Sequence, residues 1–208
     1  MVQELRSGYG NMTSWTFQMS ARIANPPPSL LAKYSRKERE FFFEYANFVL
    51  KIIENETVVD ELRSIFEKES IRIEKPVDLR IMVFPARTLR GRPNRMLHGS
   101  YNHSSSQMSL YPLNLPRIWI RAEGFDLFRV SLESLSDKER RLLLEISQSV
   151  VSTLVHEILH VKFESRGLLL YVEEAIVRKL ESQYVGEWER DLQLLIEAVH
   201  RGTASKRL

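Results

Sequence analysis

A long apolar helical pattern in the last third of the chain constrains the fold more than any other feature. Ser136 opens the sequence SDKE, a capping box in which Glu139 can hydrogen-bond back to the cap residue. Apolar residues then recur at helical spacing, at positions 142, 143, 146, 150, 154 and 158. The spacing predicts one long buried helix that continues through LVHEILHVK at 154–162, and the other elements must pack around it.

Three polar residues interrupt the apolar surface of this helix. His156 and His160 are four residues apart, so their imidazoles lie on one face. Glu157 lies one step round the helix, where its carboxylate can reach a metal-held water molecule without binding the metal. The alternative is a pair of hydrogen-bonded core histidines, which would bury two imidazoles and a carboxylate without a cation. We therefore predict that His156 and His160 bind Zn²⁺ and that Glu157 is the catalytic general base.

A zinc site of this kind needs a third protein ligand, and the helix predicted after Gly167 offers two candidates. Glu164 is too close to His160 on the same helix to complete a tetrahedral shell. Glu173 shares its helix face with apolar residues, whereas Glu174 shares its face with charged ones. The pattern favours Glu173 as the third ligand and leaves Glu174 as the alternative.

The composition is that of an ordinary folded protein, with 43% hydrophobic and 27% charged residues. Cysteine is absent, so a metal site must use histidine and carboxylate ligands. The net charge is +3, and the arginines at 86–95 are typical of a solvated loop, so a nucleic-acid partner is not favoured. The N-terminus lacks an apolar signal core and no run of 18 apolar residues occurs. We expect a cytoplasmic protein with no membrane partner.

The first 75 residues predict an arm followed by helices. Residues 1–34 show no sustained period and are interpreted as an irregular arm. The sequence SRKE at 35–38 is a second capping box, which predicts a helix through FFFEYANFVLKII. After a break at Asn55, the stretch VVDELRSIFEKE predicts another helix. Residues 1–75 are therefore assigned to an N-terminal arm and helical extension.

Strands are predicted only after residue 75. DLRIMVF at 78–84 is rich in residues that favour strands, and MLHGSYN at 96–102 with SQMSLYP at 106–112 predicts a hairpin. The segment 116–135 fits either a strand or a helix, and WERDLQLLIEAVH at 188–200 predicts an amphipathic C-terminal helix. Residues 76–208 are assigned to the single domain, which contains the predicted metal site and the C-terminal helix.

A family resemblance is carried by HEILH, by the glutamate-bearing helix that follows it after twelve residues, and by the strand-like GSYNHSSSQMSLYP upstream. Together these resemble the gluzincin branch of the zincin metallopeptidases, most of all the small minigluzincins, over residues 78–185. The resemblance implies an α+β, zincin-like fold with a small, mostly antiparallel sheet packed on a long active-site helix, and additional N- and C-terminal helices. Many gluzincins place a small residue after the liganding glutamate, which describes Glu174 followed by Ala175.

The function that these residues predict is zinc-dependent hydrolysis of peptide bonds. Zinc lowers the pKa of its bound water, and Glu157 would accept the proton and return it to the leaving amine. The resemblance implies that an extended peptide or protein substrate adds to an edge strand near 106–112, so Tyr101 and His103 are candidates for substrate binding. The alternative is a zinc-stabilised, catalytically latent binding or regulatory module.

Overall fold

The computed structural model describes residues 19–71, 75–83, 98–112, 127–128, 132–163 and 167–185. In chain order these residues form strand β1 (Met19–Ile23), helices α1 (Pro28–Leu31), α2 (Arg36–Ile53) and α3 (Glu56–Lys68), strands β2 (Val77–Ile81), β3 (Gly99–Asn102) and β4 (Gln107–Leu110), a short 3-10 helix (Leu132–Ser134), and helices α4 (Asp137–Val161) and α5 (Leu170–Val185). The fold is therefore α+β. The arginine-containing segment 86–95, the predicted helix 188–200 and most of 116–135 lie outside the described residues.

The helices begin where their capping residues predict. Ser35 accepts a hydrogen bond from the Glu38 backbone N–H, and the Glu38 carboxylate accepts one in return from the Ser35 N–H at 2.8 Å. Ser136 and Glu139 form the same reciprocal pair at the start of α4. Both predicted capping boxes are confirmed. Each one satisfies backbone donors that the first turn of a helix would otherwise leave unpaired.

The four strands form one mixed sheet in the order β1-β2-β4-β3. Strand β1 pairs parallel with β2, and β2 pairs parallel with β4, while only β3 and β4 are antiparallel. The predicted hairpin is confirmed, but the prediction of a mostly antiparallel sheet is wrong. The reason is the long connection from β1 to β2 through α1, α2 and α3, because a helical crossover returns the chain in the same direction.

Strand β1 also corrects the interpretation of residues 1–34 as an irregular arm, which is wrong for residues 19–23 and for the short α1. The sequence MSARI alternates apolar and polar residues, in step with its partly exposed and exposed positions, but the alternation spans only five residues and none of them is buried. A side-chain contact also joins β1 to β2, because the Arg22 guanidinium donates to both carboxylate oxygens of Asp78. The sheet thus takes strands from both sides of the predicted boundary at residue 75.

Within the hairpin, β3 lies at the edge of the sheet and β4, the strand near 106–112, lies inside it. Strand β4 pairs on both sides, with Met108 opposite Leu79 of β2 and opposite Tyr101 of β3. The prediction that the edge strand lies near 106–112 is therefore wrong. The burial of the two strands gives the physical reason, since β4 has three of its four residues buried and the more polar β3 has one.

The core lies between α2, α4 and the sheet. The largest fully buried side chains include Phe41 and Ile52 of α2, Leu79 of β2, Met108 of β4, and Leu143, Ile146 and Leu154 of α4. Burial of one such side chain stabilises the fold by roughly 1.5–3 kcal/mol. By length and hydropathy α4 could also cross a membrane, but 56% of its most apolar 18-residue stretch is buried inside the fold. The prediction of one long buried helix is confirmed.

Glu69, at the C-terminal end of α3, ties the end of α4 to α5. Lys162, which follows α4, and Tyr184 of α5 both donate hydrogen bonds to its carboxylate. Partial burial raises the pKa of Glu69, but the two donors and the positive charge of Lys162 outweigh it and hold that pKa below its usual value. The carboxylate is therefore ionised at neutral pH and holds α5 beside the end of α4.

Candidate metal centre

The two histidines of α4 lie side by side near the C-terminal end of the helix. Their Nε2 atoms are 3.2 Å apart, and their ring centroids are 4.9 Å apart. Both rings are largely buried, with side-chain exposures of 18% for His156 and 8% for His160. The predicted pairing of the two imidazoles on one helix face is confirmed.

Helix α5 brings three carboxylates to the two imidazoles. Gly167, before α5, has a φ of +58°, the left-handed conformation that glycine adopts without a steric penalty. The helix that follows packs against α4 and places Glu173, Glu174 and Glu181 beside the histidine rings. The turn that sequence reasoning located near Gly167 thus assembles the polar cluster.

The carboxylate of Glu174 faces the Nε2 atoms. Its Oε1 atom lies 3.6 Å from His160 Nε2, and its Oε2 atom lies 3.8 Å from His156 Nε2. A tetrahedral zinc shell with bonds of about 2.0–2.1 Å has ligand atoms separated by about 3.3–3.4 Å. The separations among these three groups, from 3.2 to 3.8 Å, come close to that value. His156, His160 and Glu174 therefore fit a zinc ion that binds through both Nε2 atoms and one carboxylate.

The other ring nitrogens are held by the two remaining glutamates. His156 Nδ1 donates to Glu181 at 2.9 Å, and His160 Nδ1 donates to Glu173 at 2.5 Å. Glu181 also accepts a hydrogen bond from Ser152 at 2.5 Å. A proton on each Nδ1 leaves the Nε2 lone pairs free for a metal, and such carboxylate partners orient metal-binding histidines in many proteins.

Burial lowers the pKa of each imidazole, whereas its carboxylate partner raises that pKa. Burial lowers the pKa of His160, and it outweighs the hydrogen bond to Glu173, so this ring is neutral at pH 7 and can bind a metal. Burial also lowers the pKa of His156, but the hydrogen bond to Glu181 and the neighbouring carboxylates outweigh it and raise that pKa overall. The hydrogen bond to Glu181 already places one proton on His156 Nδ1, so the raised pKa describes a second proton on Nε2. A metal cation at Nε2 would compete with that second proton.

Glu173 and Glu174 thus take different places in the cluster. The sequence preference for Glu173 rested on its apolar helix face, and the structure confirms that face, since Glu173 is 5% exposed. Its carboxylate, however, meets the Nδ1 side of His160. The side chain of Glu174 is 36% exposed and meets the Nε2 side of both rings. The more buried glutamate, Glu173, is therefore the hydrogen-bond partner of His160, and the more exposed Glu174 faces the Nε2 atoms.

Glu157 lies beside this cluster, against the edge strand. It is 6% exposed, and a Cβ atom added to Gly99 of β3 would lie 2.6 Å from its Oε1 atom. Burial raises the pKa of Glu157 to about 7, with the charge of His156 lowering it and those of Glu174 and Glu181 raising it further. A carboxyl group with a pKa near neutrality can both accept and release a proton at pH 7.

Replacement of Gly99 by alanine tests this close packing. The added Cβ would overlap Glu157 and the Thr153 methyl group, so we expect the variant to lose roughly 1–3 kcal/mol of unfolding free energy. Urea unfolding of the metal-free protein measures the loss, with Ser100→Ala on the same strand as the control. In a background of Glu157→Ala and Thr153→Ser the loss should shrink. An undiminished loss there would place the strain elsewhere.

The two substrate-binding candidates lie in the hairpin. Tyr101 is on the edge strand β3, and its ring packs edge-on against His103, with centroids 5.0 Å apart. His103 begins the turn to β4, and its Nε2 lies 3.4 Å from Glu173 Oε1. The structure therefore brings His103 to the polar cluster through Glu173 and leaves Tyr101 on the strand.

Comparison with protein-family models, with curated proteins and with solved structures found no match.

Sequence reasoning did not assign roles to two residues of this cluster. Glu181 shares a helix face with Glu174 at a spacing of seven residues, which is the signal that could have placed it beside the histidines. Gly99 lies inside a predicted strand, where an isolated glycine often marks a close approach of another element. Its partner, Glu157, could be identified only from the packing of β3 against α4.

Proposed function

We propose that this protein is a zinc-dependent metallopeptidase of the gluzincin type. One observation carries the proposal: the Nε2 atoms of His156 and His160 and the carboxylate of Glu174 converge at separations of 3.2 to 3.8 Å, with Glu157 beside them. Of the two candidate third ligands, we choose Glu174. The long helix α4 with the sheet edge β3 beside it supports a zincin-like arrangement, although the sheet is mixed.

The chain's own residues support water-dependent hydrolysis. Bound zinc lowers the pKa of a coordinated water molecule and polarises a carbonyl group. Glu157 would accept the proton of the attacking water and deliver it to the leaving amine, since its carboxyl group lies beside the proposed ligands without being one of them. Glu173 and Glu181 hold the two imidazoles in the tautomer that presents Nε2.

An extended peptide is the substrate class that fits the edge strand. Among the described residues, β3 pairs with β4 alone, so its other side offers backbone N–H and C=O groups to an added strand. Gly99 of β3 lies against Glu157, so a peptide paired there would run beside the proposed general base. The substrate-binding surface is therefore assigned to β3, and Tyr101 belongs to it.

The zinc-stabilised latent module is a second candidate, favoured by one feature. Glu157 is almost fully buried, and β3 covers it closely enough that a methyl group at Gly99 would overlap it. A site covered in this way can hold zinc without admitting a peptide. The latent protein and the active peptidase share the metal and differ only in hydrolysis.

Metal analysis combined with a peptide-hydrolysis assay tests both candidates. We expect about one zinc per chain, bound by two histidines and a carboxylate, and cleavage of an unstructured protein substrate that stops on chelation and resumes when zinc is added. The variant His156→Ala, His160→Ala is the control and should lack both. Zinc without cleavage would favour the latent module, and full zinc content in the control variant would refute the site.

A further inference from the structure

His103 lies against the carboxylate that orients His160. Its Nε2 atom is 3.4 Å from Glu173 Oε1, the oxygen to which His160 Nδ1 donates at 2.5 Å. One carboxylate oxygen thus contacts two imidazole rings, one from α4 and one from the hairpin turn. Glu173 is nearly excluded from solvent, whereas the His103 side chain is 37% exposed, so water reaches the His103 ring but hardly reaches the carboxylate.

The rest of the His103 ring offers no competing polar contact. Its Nδ1 atom is buried and has no hydrogen-bond partner among the described residues, and its ring packs edge-on against Tyr101. In a neutral imidazole one nitrogen carries the proton and the other a lone pair. A proton on Nε2 brings a positive hydrogen near the Glu173 oxygen at 3.4 Å, a long electrostatic contact and not an aligned hydrogen bond, whereas the other tautomer would bring a lone pair near that oxygen. The contact with Glu173 therefore favours the tautomer with the proton on Nε2.

We propose that His103 is a positioning residue for the metal centre and that it acts through Glu173. His103 restrains the Glu173 carboxylate, and Glu173 in turn holds His160 with its Nε2 lone pair directed at the metal. The hairpin that carries the edge strand is thereby linked to a metal ligand on α4. This inference rests on the proposed zinc site and adds a residue to it that does not touch the metal.

A second metal ion bound by His103, His160 and Glu173 is the competing interpretation, since these three side chains can bring ligand atoms within 4.8 Å of one another. The distances argue against it. Glu173 Oε1 and His160 Nδ1 are 2.5 Å apart, which suits a hydrogen bond, whereas two ligands of one zinc ion stand about 3.3 Å apart. The Nδ1 proton of His160 would also have to leave.

Zinc affinity, measured by competition with a chromophoric chelator, tests the positioning role. The variants are His103→Ala, His103→Gln, Glu173→Ala and the double variant His103→Ala, Glu173→Ala. His98→Ala is the matched control, because His98 lies in the same hairpin and is exposed. Unfolding of each metal-free protein and the absorption spectrum of each cobalt(II)-substituted protein supply readouts that do not depend on catalysis.

We expect His103→Ala to weaken zinc binding by up to about tenfold, the lower end of the range for groups that orient metal-binding histidines, because its contact with Glu173 is long at 3.4 Å. The cobalt spectrum should change with it. His103→Gln, which keeps an N–H donor, should recover most of the affinity, and His98→Ala should match the parent. In the Glu173→Ala background, which has no carboxylate for His103 to restrain, the His103→Ala effect should disappear.

Four outcomes would overturn the positioning role: an equal effect of His103→Ala with and without Glu173, an unchanged zinc affinity, a loss of affinity that only follows a loss of metal-free stability, or a zinc content that falls from two ions to one. A parent protein that binds no zinc would instead refute the proposed function itself. The two failures are therefore distinguishable.

Discussion

Glu157→Gln is expected to lower the rate of peptide hydrolysis by roughly 10²–10⁴-fold, the usual contribution of a positioned general base. Glutamine has nearly the same size and shape as glutamate but cannot accept a proton at neutral pH. The Glu157 carboxyl group forms no hydrogen bond with another of the described residues, so the substitution should disturb no side-chain partner. Zinc content should stay at the parent value, and the kcat of the purified variant measures the effect.

The same substitution has a consequence in the metal-free protein that does not depend on catalysis. Burial raises the pKa of Glu157 to about 7 in the folded state, whereas an unfolded chain ionises near 4.5. Between these pH values the unfolded chain releases a proton that the folded chain retains, so stability falls as pH rises, by about 3 kcal/mol in all. Glutamine does not titrate and avoids this loss.

Urea unfolding in the presence of a chelator measures the difference. We expect the stability advantage of Glu157→Gln over the parent to grow between pH 4.5 and pH 7 and to level off above that. Below pH 4.5, where glutamate is protonated in both states, the pH-dependent advantage should vanish. A variant that hydrolyses peptides as fast as the parent would remove Glu157 from the mechanism, and a difference in stability that does not change with pH would contradict the raised pKa.

Local signals allowed the helices and the histidine pair to be predicted from the sequence. The boxes at Ser35 and Ser136 depend on residues three apart, and the facing of His156 and His160 depends on residues four apart. Interactions of this kind are encoded within one helical turn. They therefore remain readable without knowledge of the rest of the fold.

The sheet and the surroundings of the candidate metal site depend on contacts between distant segments. Strand β1 pairs with a strand more than fifty residues later, and the position of β3 at the edge follows from the parallel pairing of β2 with β4. The contact between Gly99 and Glu157 likewise joins a strand to a helix far along the chain. No periodic pattern within one segment specifies such pairings.

The choice between Glu173 and Glu174 shows how a correct helix phase can still leave a ligand undetermined. Sequence reasoning placed Glu173 on the apolar face, which the structure confirms, and it equated that buried face with the metal. In the structure both glutamates reach His160, but on different edges of the ring. The distinction rests on which ring nitrogen each carboxylate meets, and helix periodicity carries no information about that.

Removal of the Glu174 carboxylate and removal of the Glu173 carboxylate should therefore differ in opposite directions in zinc affinity and in the stability of the metal-free protein. Glu174→Ala deletes a proposed zinc ligand and is expected to weaken zinc binding by more than about 100-fold, beyond the 10–100-fold range typical of an outer hydrogen-bond partner. In the metal-free protein its cost should be small, about 0–1 kcal/mol, because Glu174 is partly exposed and its pairing with Arg178, at 3.5 Å, is a surface ion pair.

Glu173→Ala should cost the metal-free protein more stability than Glu174→Ala does, and it should weaken zinc binding less. It leaves the buried Nδ1–H of His160 without its acceptor, which is expected to cost the metal-free protein about 1–3 kcal/mol of unfolding free energy. Its zinc affinity should fall by about 10–100-fold, because the ring loses its orientation while all three ligands remain. Chelator competition and urea unfolding of both variants provide the comparison. If Glu173→Ala weakened zinc binding more than Glu174→Ala did, Glu173 would be the ligand and the Nδ1 contact of His160 would have to rearrange when the metal binds.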